Sequence, residues 1–210
     1  MQLTIVRSAR KTLSLHLDRA GNAVVRAPLR TPEKEIIAFV EKNRKWLEKR
    51  IAARQALSVL DLTDGATLLL FGASYTVHAG KSSLTAGKIY LPTEEREAAF
   101  VRLLKKHAAA VMGSLTELVS VRSGLKYSAV RISSARGRWG SCNAKGKISY
   151  SFRVAFLDPA LAEYVAVHEL CHTVHFNHSA AFWKLVEQIL PDYKLRRKEL
   201  KRRNGVMNYL

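Results

Sequence analysis

His168-Glu169-Leu170-Cys171-His172, followed by His178, constrains this 210-residue chain more than any other feature. On an α-helix, residues four apart lie one above the other on the same face, so His168 and His172 can point at one ion. Zinc (Zn2+) bound by imidazole is tetrahedral, and a catalytic site keeps three protein ligands and one open position for water. His178, ten residues after His168, is the expected third ligand. Glu169 is then placed to take a proton from water at the open position.

The surroundings of the motif favour a helix. Asp158-Pro159 is a good start, with Asp as N-cap and Pro in the first turn, where its missing N–H costs nothing. Leu161, Tyr164, Val165, Val167, Leu170 and Cys171 then supply the apolar density of a buried helix. Asn177 is expected to end the helix in a left-handed conformation, and Ser179 to cap a second helix from Ala180 to Leu190, stopped by Pro191. His178 is thereby held between two helix ends. His175 lies seven residues after His168, near the same face. It stays open as an alternative ligand or a group supporting one. His178 is preferred, because three ligands on one straight helix surround a tetrahedral ion poorly.

Two blocks together resemble a known family. His168-Glu169-Leu170-Cys171-His172, Asn177-His178-Ser179 and Phe182-Trp183 form one. Arg138-Trp139-Gly140-Ser141-Cys142, followed by Ile148-Ser149-Tyr150-Ser151-Phe152-Arg153, forms the other. The pattern is similar to the YgjP-like metallopeptidases, relatives of the SprT and WLM zinc-dependent proteases. Weaker similarity runs through Arg7-Ser8-Ala9-Arg10-Lys11, Ala27-Pro28 and a helix ending near Trp46. The resemblance implies a zinc-dependent hydrolase with His168, His172 and His178 as ligands and Glu169 as the catalytic residue. It implies no particular substrate.

The fold class expected is α+β. A zincin-like core, with the HExxH helix under a small sheet, is preceded by a β-rich region with a long helix. Strands are read at Leu3–Val6, Leu13–Leu17 and Ala23–Ala27, with a turn over Asp18–Asn22. Thr31-Pro32-Glu33 opens a helix to about Ala56. Thr67–Phe71, Tyr75–His78 and Lys88–Leu91 read as short strands, and Thr93-Glu94-Glu95 as the cap of a helix to about Ser120. Ala129–Ile132 and Lys147–Val154 are further strands, joined through a Trp-Gly-Ser-Cys turn. The plainest boundary lies near Pro92, dividing residues 1–92 from a catalytic domain, 93–210, that ends in a basic helix.

Zinc peptidases generally hold substrate as an added strand on an exposed sheet edge above the metal helix. Lys147–Val154 is the nearest candidate for that edge, with Ile148, Tyr150 and Phe152 on one face and Ser149, Ser151 and Arg153 on the other; an ordinary inner strand is the alternative of equal weight. Trp139 is expected as a core plug between sheet and helix, with a stacking role against the substrate as the alternative. Donors for a tetrahedral intermediate are left open among Arg138, Tyr193, His175 and a backbone N–H near Gly140. Glu163 and Glu187 are the acids nearest the ligands in sequence; Glu163 is also a partner for Arg138.

The 35 basic residues outnumber 17 acidic ones, a formal charge of +18. The excess is +6 over residues 1–100 and +12 over 101–210. Lys194 to Arg203 is almost a basic helix, closed by Asn204-Gly205. Such a surface attracts polyanions, so non-specific nucleic acid stands beside a peptide or protein as an expected partner. No DNA-reading motif is present, and aromatics are not interleaved with the basic run. No segment approaches transmembrane length, so no membrane partner is expected. Two cysteines, Cys142 and Cys171, argue against a disulfide framework and suit a reducing cytoplasm. The expectation is therefore a zinc metallopeptidase. A protease acting on DNA-bound proteins, as SprT and Spartan relatives suggest, and a non-catalytic zinc protein are the alternatives.

Overall fold

A computed structural model describes residues 3–18, 22–48 and 60–203. The interior of the expected 18–22 turn, the end of the first helix beyond residue 48 and the Asn204-Gly205 terminus lie outside these residues. The chain divides into two compact units, Met1–Ser58 and Val59–Leu210.

In the first unit, β1 (Leu3–Ser8), β2 (Ser14–Leu17) and β3 (Ala23–Pro28) form a sheet of order β1-β3-β2. The central strand β3 runs parallel to β1 and antiparallel to β2. Helix α1 (Glu33–Lys42) places Ile36 and Val40 on Val25 and Ala27, closing a small core. The helix is shorter than expected. Asn43 interrupts it by bonding its side-chain amide back to the Phe39 carbonyl at 2.8 Å, and residues 44–48 resume as helix.

The second unit contains two sheets and four helices among the described residues. β4 (Thr67–Leu70), β5 (Ala73–Ala79), β6 (Ser83–Thr85) and β7 (Lys88–Leu91) pair in the order β4-β5-β7-β6. Their inward residues Leu68, Leu70, Val77, Ile89 and Leu91 share one core with Phe100, Leu104 and Met112 of helix α2 (Arg96–Ser123). The expected boundary near Pro92 thus falls inside this unit, because the strands before it bury those side chains in the same core as α2. The β4–β5 turn also packs against residues 155–159. Gly72 sits there at φ +78°, and a Cβ at this position would stand only 2.9 Å from Pro159 Cδ, so the close approach requires glycine. Phe71 N–H donates to the Ala155 carbonyl beside it.

Helix α2 begins differently from expectation. Glu95, in a left-handed conformation at φ 49°, occupies the N-cap, and no side-chain cap forms. Its end at Ser123 follows from Gly124, which takes φ 71° and reverses the chain as C-terminal glycines do. Buried residues at Phe100, Leu104, Ala108, Met112, Thr116 and Val119 recur near the helical period.

β8 (Ala129–Ser133), β9 (Gly140–Cys142) and β10 (Lys147–Ser151) make the sheet nearest the histidine motif, ordered β8-β10-β9. One expectation is corrected here and one open alternative is decided. Gly140-Ser141-Cys142 is a strand rather than a turn, and it pairs antiparallel with β10. β10 is therefore the central strand, with Ile148, Ser149, Tyr150 and Ser151 all buried, so it has no free edge to offer. The edge beside the motif is β9. Residues 152–156 leave the sheet as a 3-10 turn, where the Ser151 hydroxyl accepts from Arg153 N–H. Helix α3 (Pro159–Cys171) packs against α2 and β9, followed by α4 (Ala180–Ile189) and α5 (Tyr193–Arg202). The whole is α+β, with the histidine-bearing helix beneath a small sheet and a β-rich region with a helix preceding it.

Candidate metal centre

Helix α3 starts as its sequence dictates, with Asp158 at the N-cap and Pro159 in the first turn. It stops earlier than expected. His172 is its C-cap, and Thr173, Val174 and His175 N–H groups bond back to the carbonyls of Leu170 and Cys171. Asn177 is not left-handed; Phe71 and Glu95 are the non-glycine residues at positive φ among those described. Asn177 turns the chain with its side chain instead, its carbonyl oxygen accepting from Ser179 N–H at 3.2 Å. Ser179 then caps α4 through Phe182 N–H, as its position suggested.

These turns bring three imidazoles together. His168 Nε2 lies 3.2 Å from His172 Nε2 and 3.1 Å from His178 Nε2. Three nitrogens bound to one tetrahedral zinc at the usual bond length stand about 3.3 Å apart. The tautomer of His172 agrees with that use. Its Nδ1–H donates to the His175 carbonyl at 2.8 Å, which leaves Nε2 with a lone pair facing the cluster. Burial and the neighbouring His172, His178 and Arg197 depress His168 to about 3, and burial lowers His178 as well. Neutral imidazoles converging through their lone pairs are what a divalent cation needs. His168, His172 and His178 are the cluster able to hold a metal among the described residues.

Glu169, on the adjacent helical position, points to the other wall. It is buried, and Gly140 of β9 makes room for it: a Cβ at position 140 would stand 2.6 Å from Glu169 Oε1 and Cγ. Its Oε2 is buried and finds no hydrogen-bond partner among the described residues, and neither does His168 Nδ1. Desolvation pushes Glu169 up to about 8, opposed by Arg138. An orphaned carboxylate oxygen beside a cluster of lone pairs fits a cation and its water.

A cleft of about 230 Å³ opens at this point, lined by Arg138, Trp139, Gly140, Tyr164, Val165, His168, Glu169 and Leu200. The loop carrying Arg138 and Trp139 is pinned from beneath. Ser151 N–H donates to Trp139 O at 2.8 Å, and its hydroxyl to Ala135 O at 2.7 Å. The Arg153 guanidinium, 1% exposed, adds donors to Ser134 O and Ala135 O and lies 4.3 Å from the Phe152 ring. Arg153 is therefore an internal tie rather than a residue on an open face. Trp139 is the expected core plug, 8% exposed, and its outer side bounds the cleft.

The remaining candidates separate clearly. Arg138 sits on the lip. Its suggested partner Glu163 is instead bonded by Arg122 at 2.8 Å and Arg196 at 2.6 Å, and Glu187 pairs with Lys194. Neither acid supports a histidine. Tyr193 stacks on Trp183 with ring centroids 5.5 Å apart, and it is not a lining residue of the cleft. His175 contributes its carbonyl, not its ring, to the cluster. Cys171 is buried and pushed up to about 12, and burial also raises Cys142, so neither offers a thiolate at neutral pH. Three residues went unassigned in the sequence. Tyr164 precedes His168 by one helical turn and lines the cleft, a role legible from that spacing. Phe182 stacks on His172 at 4.5 Å and Trp183 on His178 at 5.5 Å, contacts that depend on how α4 folds back.

A three-histidine cluster with an adjacent glutamate on a helix, beneath a sheet edge and open to a cleft, defines the class of metal-dependent peptidases. The family model of the YgjP-like metallopeptidase domain matches residues 11–203, and the chain belongs to that family. Among solved structures, it is similar to the metallopeptidase zymogen of Pyrococcus abyssi abylysin, at 24% identity and a TM-score of 0.41. That similarity covers 44% of this chain and 93% of the other. A comparison with curated proteins finds no match.

Proposed function

We propose that this metal-dependent peptidase uses zinc, held by His168, His172 and His178, with Glu169 as general base. The observation that carries the reading is the convergence of three Nε2 atoms beside a buried carboxylate in one cleft. Zinc in such a site supplies Lewis acidity and acidifies water at its open position. Glu169, kept dry by Gly140 and Trp139, accepts the proton of the attacking water and returns it to the leaving amine. Edge strand β9 offers its backbone to an extended peptide, and Arg138 and the backbone near Gly140 are the donors nearest a developing oxyanion. Tyr193 and His175 lie away from the cleft lining, which weighs against them.

The proposed setting is a reducing one such as the cytoplasm, in keeping with two free cysteines. No helix among the described residues is long and apolar enough to cross a membrane. A purely structural zinc is disfavoured, since structural sites are usually closed by four ligands. The deciding experiment measures metal content and peptide hydrolysis for wild type, Glu169→Gln and the three His→Ala variants. About one zinc per chain is expected in wild type and Glu169→Gln, with hydrolysis lowered by about two orders of magnitude or more in the latter. Full activity in Glu169→Gln would remove Glu169 from the chemistry, and full metal in His178→Ala would remove that ligand.

A further inference from the structure

The basic helix α5 is not uniformly charged once its partners are counted. Arg196 is bonded to Asp192 at 2.8 Å and Glu163 at 2.6 Å, and Arg202 to Glu199 at 3.0 Å. Arg203 reaches Asp158 at 3.1 Å, and Lys194 reaches Glu187 at 3.0 Å. Arg197, Lys198 and Lys201 have no acidic partner among the described residues. With Lys194 they line a shallow concavity of about 230 Å³, occupying one face of the helix at turn spacing.

That face adjoins the metal centre. The Arg197 guanidinium lies 4.2 Å from the Trp183 ring, which is itself stacked on His178. Leu200, on the same helix, lines the cleft beside Glu169. Across the cleft stands Arg138, exposed, whose acidic neighbour is the buried Glu169 of the same cleft. Glu169 is the one acid among the cleft's lining residues, and it is buried. A substrate entering here meets positive charge from both sides, with few anions to screen it.

We propose that the site selects acidic polypeptide segments, whose carboxylates beside the scissile bond meet Arg197, Lys198 and Lys201. This rests on the peptidase reading and adds the substrate class to it. The same cations would attract nucleic acid, but the aromatic rings beside them are engaged. Trp183 already has His178 and Tyr193 stacked on it and Arg197 over its ring, so a base stacking there would compete with those contacts.

The test is binding, so that it does not depend on turnover. Zinc-loaded Glu169→Gln protein is titrated with dye-labelled short peptides of one sequence, carrying Asp/Glu, Asn/Gln or Lys around an apolar centre. Fluorescence anisotropy is read across a salt series. The acidic peptide should bind about tenfold or more tightly than the neutral one at low salt, and the gap should close as salt rises. Lys198→Gln with Lys201→Gln should shrink the gap severalfold. A control of equal charge change, Lys81→Gln between β5 and β6 with Lys88→Gln on β7, should leave it as in wild type. Equal affinity for acidic and neutral peptides would overturn the proposal, as would an unchanged gap in the α5 variant. An oligonucleotide of matched charge that binds more tightly and displaces the acidic peptide would overturn it in favour of nucleic acid. Wild-type digestion of the same peptides separates the two readings. Selective binding without cleavage would sink the peptidase reading alone, and cleavage indifferent to charge would sink the substrate class alone.

Discussion

A methyl group at position 140 would press on the carboxylate of the proposed general base, 2.6 Å from Glu169 Oε1. Glu169 is a flexible side chain lining the cleft, so Gly140→Ala must shift its carboxylate out of its present line. Hydrolysis should fall by about tenfold or more while zinc content and helix content stay at wild-type values, because no ligand is touched. A Gly140→Ala enzyme with unchanged kcat/KM would show that Glu169 needs no such clearance. Burial of the same carboxyl has a consequence for stability without metal. Glu169 holds its proton to about 8 in the folded chain, whereas an ordinary unfolded glutamate gives it up near 4.5. Between those values the folded state carries the extra proton, so stability is lost as pH rises. His168 works in the opposite sense, but its window lies between about 3 and 6.5. From pH 6.5 to 8 the metal-free wild type should therefore lose melting temperature, and metal-free Glu169→Gln should not. Parallel curves for the two proteins would contradict the burial argument.

At the scale of elements, the candidate metal centre is a meeting of α3 with the start of α4. His168 is carried by a helix, but His178 is exposed and sits on the connecting segment. Its orientation comes from ring contacts: Trp183 is stacked on it at 21° between planes, and Phe182 meets it edge-on at 4.9 Å. Replacing Trp183 by Ala removes the larger of these supports. Zinc affinity, measured by competition with a chelating dye, should weaken by about 10- to 100-fold, the usual cost of losing a group that orients a ligand. Trp183→Phe should recover most of it, since a flat ring is retained. Undiminished affinity in Trp183→Ala would mean that the segment alone positions His178.

For the whole molecule, an ion held by His168, His172 and His178 ties a helix to a segment ten residues further along the chain. The unfolded chain offers no such cluster, so binding stabilises the fold by mass action. Free zinc at one hundred times its dissociation constant contributes about 2.7 kcal/mol. For a unit of this size, chelation should then lower the melting temperature by about 5 to 10 °C. His168→Ala should melt at the same temperature with and without chelator. An unchanged melting temperature on chelation of wild type would argue that the histidines hold no ion in solution.

The helix that carries His168, Glu169 and His172 was legible in the sequence because its determinants are local: a capping aspartate, a proline in the first turn and apolar residues at helical spacing. The α+β class and the basic helix at the end followed from the same kind of short-range pattern. Other features were decided only by tertiary contacts. Strand order is set by which edges pair across long stretches of chain, so a segment as apolar as Lys147–Ser151 reads equally as an edge or a centre until β8 and β9 flank it. The unit boundary moved from 92 to 58 because β4–β7 bury their side chains on α2, a contact no periodicity records. Arg138 was separated from Glu163 for a similar reason: Arg122 and Arg196, each more than thirty residues distant from Glu163 in sequence, reach that acid first. Composition alone could state the charge of +18. Which cations remain without an acid, and that they lie beside the cleft, follows from the packing of α5 on α3, where every ion pair is a matter of distance.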